Sequence, residues 1–106
     1  MKAIHRFSTE QSRADLHIHT IESDGALTPV ELLLKAKEVG LTTISITDHD
    51  SVNAVEEAIS FGSEIGIQVI PGVELSVTIE NRDVHILAYF FDYKNKPLLE
   101  YLDYFR

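Results

Sequence analysis

The chain contains no cysteine among its 106 residues. Disulfides and thiolate zinc sites are therefore excluded, and any bound metal must be held by His, Asp and Glu. Basic residues are few: 9 Lys and Arg stand against 17 Asp and Glu, giving a net charge of −8. The absence of a basic tract argues against coating nucleic acid or docking on an anionic membrane through bulk charge. A phosphate substrate stays open, because a bound divalent cation reverses the local field. No apolar run reaches the roughly 18 residues of a membrane span, and no apolar stretch marks a signal peptide. The expected compartment is the cytoplasm. Phosphate-cradling loops of the GxGxxG or Walker type are missing too. There is no internal repeat, linker or low-complexity segment.

What is present is an ordinary globular composition, 44% hydrophobic and 25% charged. It suits one domain, or part of one, with a modest core. Residues 1–13 are polar and aperiodic and read as a lead-in. "ADLHIH" (14–19) reads as a first strand, with Ala14, Leu16 and Ile18 on one face and Asp15, His17 and His19 on the other. The apolar set is expected to anchor the imidazoles from behind. Asp24-Gly25 signals a turn. Thr28, Pro29 and Glu31 form a helix start with a capping box. Val30, Leu33, Leu34 and Lys37 then fall on neighbouring turns, and Gly40 is the expected C′ residue. "LTTISIT" (41–47) reads as a second strand. Asp50 or Ser51 is expected to cap a helix over 52–61, punctuated by Gly62 and Gly66. "IQVIPG", "VELSVTI" and "VHILAYFF" read as three further strands, the last two joined by an "ENRD" turn. A last helix carries Pro97 early and Leu98, Leu99, Leu102 and Phe105 on one side.

Strands alternating with helices imply βαβ units and a mostly parallel sheet. In such sheets ligands gather beyond the carboxyl ends of the strands. His17 and His19 end the first strand, Asp24 follows it, and Asp48 and His49 follow the second. Glu74 follows "IPG", and His85 lies near the start of the fifth strand, which could run antiparallel. Each has an ordinary reading alone: Asp24 as a turn residue, "TDHD" as a helix cap, Glu74 as a strand carboxylate. Their coincidence at one edge of a thiol-free chain favours metal ligation, and imidazole with carboxylate is the donor set for zinc, manganese or iron. This many ligands could hold two metals about 3.5–4 Å apart, as in hydrolytic sites. His5 reads as a surface residue. "YFFDY" reads as strand and helix packing rather than a base-stacking platform.

"DLHIHTIESDG", "ISITDHD", "IPGVELSV" and "VHILAYFFD" resemble, in order and spacing, the first four motif regions of the PHP (polymerase and histidinol phosphatase) family. The match spans residues 15 to 92 and is nearest to the stand-alone phosphoesterases. The resemblance implies an α/β fold, the N-terminal part of a distorted seven-stranded (β/α) barrel with up to three divalent metals. His17 and His19 match ligands of one metal, with Glu74 bridging it to another. Asp24 and His49 match ligands of a second, and His85 of a third shared with Glu74. Asp15 and Asp48 match neighbouring acidic positions, read as groups that orient the imidazoles. The implied activity is hydrolysis of a phosphate ester of a small molecule, a nucleotide or an oligonucleotide end. The family's later ligands have no counterpart here, since no histidine follows His85, and such a barrel needs about 200 residues. Residues 1–106 therefore read as a single, incomplete PHP domain. Its uncovered apolar faces predict self-association. The alternatives are a catalytically incomplete metal-binding half-domain and a polymerase-associated PHP module.

Overall fold

A computed structural model of the chain describes residues 13–104. Residues 1–12 of the lead-in, His5 among them, and Phe105 lie outside the described residues. Three parallel strands form the first layer in the order β1-β2-β3: β1 (Ala14–Ile18), β2 (Thr43–Ile46) and β3 (Gln68–Val69). Two helices make the crossovers, α1 (Pro29–Glu38) and α2 (Val55–Ile65).

Helix α1 begins as its sequence requires. Thr28 Oγ1 accepts from the Glu31 N–H, and Glu31 Oε1 accepts from the Thr28 N–H, so two otherwise orphaned donors are satisfied. Gly40 follows with φ +90°, the left-handed conformation that ends a helix cheaply only at glycine. The face that α1 buries is Leu32, Leu33 and Ala36, against Ile44 and Ile46 of β2, Ala54 and Ala58 beside and within α2, and Ile67. Leu34 points outward instead, and Leu32 takes the place expected for it. Fully enclosing a residue such as Leu33 stabilises by about 1.5–3 kcal/mol.

Helix α2 starts three residues later than expected and has no side-chain cap. Both expected caps are engaged elsewhere. Asp50 sits at φ +49°, and its Oδ1 accepts from the Ser76 N–H at 2.9 Å. Ser51 Oγ accepts from the Asn53 N–H. Gly62 does not punctuate the helix but lies inside it, buried, where a Cβ would collide with the Ile67 carbonyl and Val69. Gly66, at φ +84°, ends the helix.

The remaining strands depart from the parallel pattern. β4 (Gly72–Ile79) and β5 (Arg82–Tyr89) form an antiparallel hairpin, paired without interruption from Gly72↔Tyr89 to Ile79↔Arg82. Its two-residue turn, Glu80 and Asn81, has φ of +51° and +65°, as a type I′ connection requires. The hairpin joins the parallel layer through one bridge, His49↔Glu74, made by the Glu74 N–H to the Asp48 carbonyl and the Asp50 N–H to the Glu74 carbonyl. Gly72 permits this approach, because a Cβ there would strike Ser45 and Thr47 of the neighbouring strand end. Helix α3 (Lys96–Asp103), capped by Asn95 Oδ1 on the Leu98 N–H, lays Leu102 against Val52, Val55 and Val73 in a second, smaller cluster.

One irregularity shapes the edge strand. Between Asp15↔Ile44 and Ile18↔Ile46, β1 advances three residues while β2 advances two, so β1 carries a bulge. A bulge re-aims side chains and is common beside functional sites. It also breaks the expected alternation. Ile18 reaches the core, but Leu16 is 40% exposed and does not anchor the imidazoles from behind.

Candidate metal centre

The strand ends converge on Glu74. This carboxylate lies in the first half of β4, and its side chain is only 8% exposed. Its Oε1 lies 3.0 Å from His17 Nε2 and 2.8 Å from His19 Nε2, and its Oε2 lies 3.0 Å from His85 Nδ1. His19 turns its other nitrogen to Asp24, Nδ1 to Oδ1 at 2.6 Å, and Asp24 Oδ2 lies 3.3 Å from His49 Nε2. The rings form a row: centroids of His17 and His19 are 5.4 Å apart, His19 and His49 4.5 Å, His49 and His85 5.1 Å. All six residues expected as ligands are therefore brought together, from four separate segments of chain.

Two loops hold the row. After β1 the chain folds back on Thr20, whose carbonyl accepts from the Ser23 and Gly25 N–H groups, while Ile21 N–H reaches Leu27. Gly25 is needed here because a Cβ would collide with the His19 carbonyl. After β2, the Thr47 N–H donates to the Ile18 carbonyl at 2.7 Å, and His49 lies just beyond Asp48. His85 comes from the exposed middle of β5, opposite Ser76.

Neither carboxylate read as orienting an imidazole meets one. Asp15 Oδ1 accepts from the backbone N–H of His17 at 3.1 Å. Asp48 is fully buried and turned toward the first loop. Its Oδ1 accepts from the Thr20 N–H at 2.6 Å and the Ser23 hydroxyl at 2.8 Å, and its Oδ2 from the Thr20 hydroxyl at 2.6 Å. Sequence reasoning passed over Thr20 and Ser23, since a hydroxyl beside a turn has no distinctive spacing. Tyr89, read as part of the packing run "YFFDY", has a polar role as well: its hydroxyl donates to the Leu16 carbonyl at 2.6 Å and ties the hairpin to β1.

Charge is balanced locally. Burial disfavours the His19 imidazolium, but the Asp24 and Glu74 carboxylates outweigh it and hold its pKa above the usual imidazole value. The hydrogen bond from His19, with the charges of His19 and His49, holds Asp24 below the usual carboxylate range against a little desolvation. Burial works to raise Glu74, yet the bonds from His17 and His19 and the charge of His49 bring it below that range. Burial, then the charges of Glu74 and Asp15, raises Tyr89, so its hydroxyl keeps its proton and donates.

The donor set fits divalent metal ions. His17, His19 and Glu74 form one group of ligand atoms within 4.8 Å of one another, His19, Asp24 and His49 a second, and His49, Glu74 and His85 a third. Each mixes imidazole nitrogen with carboxylate oxygen, the combination that zinc, manganese and iron accept. No helix among the described residues is long and apolar enough to cross a membrane.

Comparison with known proteins agrees. The PHP domain family model matches residues 15–102. The 5'-3' exoribonuclease Rnm of Escherichia coli is 42% identical over 91 residues, 83% of this chain and 31% of its own length. The 3',5'-nucleoside bisphosphate phosphatase of Chromobacterium violaceum is 38% identical over 78 residues, 74% of this chain and 27% of its own length. A Bifidobacterium adolescentis structure, assigned as a metal-dependent phosphoesterase, superposes with a TM-score of 0.80 at 34% identity, over 89% of this chain and 32% of that one. The chain thus spans about a third of the length of these relatives and holds part of their (β/α) barrel.

Proposed function

This chain belongs to the PHP domain family, and on that premise we propose that its protein is a metal-dependent phosphoesterase acting on a nucleotide or an RNA end. The observation that carries this reading is the set of three ligand groups overlapping at His19, Glu74 and His49. His17, His19 and Glu74 would hold one ion, Asp24 and His49 a second, and His85 with Glu74 a third. His19 belongs with the first, because its Nε2 and that of His17 face the same Glu74 oxygen. Divalent ions in such a centre bind phosphate oxygens, lower the pKa of a bound water and balance charge on the leaving oxygen.

The chain's own residues contribute position and charge. Glu74 and Asp24 are ionised near neutrality and neutralise part of the cationic charge. The bulged end of β1 aims two imidazoles at one carboxylate oxygen, and Tyr89 pins that strand to the hairpin. The relatives named for a bisphosphate phosphatase and an exoribonuclease support a nucleotide or RNA substrate. Manganese, zinc and iron all suit the donors, and the cytoplasm suits the reaction.

The test is phosphate or nucleotide release from a 3',5'-nucleoside bisphosphate and from 5'-phosphorylated RNA with Mn²⁺. His17→Ala and His49→Ala should each abolish it. Turnover unaffected by either substitution would sink the proposal.

A further inference from the structure

We infer that Asp48 is the positioning residue of this centre: its buried carboxylate sets the spacing of the ligand residues by gripping the loop between them. The inference rests on the metal-centre reading above and adds a role to a residue outside the ligand set. Asp48 is 1% exposed, and a buried carboxylate is costly unless it is well bonded. All three of its side-chain partners lie on residues 20–23. Each bond fixes the immediate neighbour of a ligand residue. Thr20 follows His19, and Ser23 precedes Asp24. Asp48 itself precedes His49, and its carbonyl accepts from the Glu74 N–H at 3.1 Å. One residue therefore sets four of the six ligand positions without its side chain touching any of them. The grip flanks both ligands of the Asp24 and His49 pair, Ser23 standing beside Asp24 and Asp48 itself beside His49, whereas of the His17 and His19 pair it reaches only His19, through Thr20. Asp24 is otherwise solvent-facing, its side chain 65% exposed, and its loop is held inward by the Asp48 carboxylate together with the Thr20 carbonyl. His17, by contrast, is placed by the β1 bulge and by Glu74. Outer groups of this kind typically change metal affinity by about 10–100-fold when removed.

The chemistry of the partners predicts a graded series. Asp48→Ala removes all three acceptor contacts. Asp48→Asn can keep the two bonds at Oδ1, from the Thr20 N–H and the Ser23 hydroxyl, and turns an N–H toward Thr20 Oγ1. That oxygen already accepts from the Glu22 N–H and has a lone pair to spare. Ser23→Ala removes one bond and leaves the others.

The experiment is Mn²⁺ titration of the chain, with free ion followed by electron paramagnetic resonance and fold followed by circular dichroism. His17→Ala and His49→Ala identify which binding class belongs to which ligands. The expected result is that Asp48→Ala weakens the class lost in His49→Ala by about 10–100-fold and leaves the class lost in His17→Ala within a few-fold. Asp48→Asn should restore most of that affinity, and Ser23→Ala should fall between. Equal weakening of both classes, or of neither, would overturn the inference. If Asp48→Ala does not fold, Ser23→Ala decides: unchanged affinity in both classes would overturn it equally. A wild-type chain that binds no Mn²⁺ would overturn the metal-centre reading itself, and this inference with it.

Discussion

The two halves of the molecule hold their share of the centre differently. The parallel unit, β1 to β3 with α1 and α2, supplies His17, His19, Asp24 and His49 from strand ends over a closed core. The β4–β5 hairpin with α3 supplies Glu74 and His85 over a shallower cluster. That cluster opens on a cleft of about 370 Å³ lined by Val73, Leu75, Ala88, Phe91 and Leu98. Ile86 and Leu87, the next residues after His85, are exposed. The difference teaches where preorganisation resides. Candidate ligands of the parallel unit are fixed by backbone bonds and a buried carboxylate. Those of the hairpin depend on Glu74, which sits at the β-bridge between the layers, beside the ties from Tyr89 to Leu16 and from Ser76 to Asp50.

The contrast is sharpest in core stability. Leu33 is wholly enclosed in the parallel unit, so Leu33→Ala should destabilise by about 4 kcal/mol, in the upper part of the range for such cavities. Urea unfolding of the purified chain measures it. Next comes the bridge. Glu74→Ala should weaken Mn²⁺ binding by at least about 100-fold, roughly 2.7 kcal/mol, because it strips a ligand from two of the three groups. His85→Ala should affect the third group alone, and calorimetric titration separates the two outcomes. Leu102→Ala, beside the open cleft, should cost about 2 kcal/mol, the low end of the same range, since the hairpin and helix can settle inward. A cost equal to that of Leu33→Ala would erase the distinction between the halves. Smallest is Thr28→Ala, expected to cost about 1 kcal/mol by loss of the helix cap, read as a small shift of the urea midpoint.

The same contrast governs what could be read from the sequence. The parallel unit announces itself locally: Thr28, Pro29 and Glu31 start a helix in almost any surroundings, and Gly40 stops it. The imidazoles and carboxylates that meet at Glu74 and Asp24, and their order along the chain, were equally visible as candidate ligands, because six of them fall at strand ends and loops of a thiol-free chain. Tertiary choices were not visible. The β1 bulge depends on pairing with β2, so nothing in "DLHIH" signals it or the exposure of Leu16. The start of α2 moved because Asp50 bonds a strand distant in sequence. The hairpin's direction rests on two left-handed residues, Glu80 and Asn81, without the glycine that usually advertises such a turn. Asp48 looked like an imidazole partner by adjacency to His49. Its burial and its three bonds to Thr20 and Ser23 point the opposite way.

The most direct test of the central claim is anomalous diffraction from crystals of the chain grown with saturating Mn²⁺. The account predicts anomalous peaks between the Glu74 carboxylate and the His17 and His19 rings, and between Asp24 and His49. Well-ordered side chains at these positions with no peak among them would contradict it.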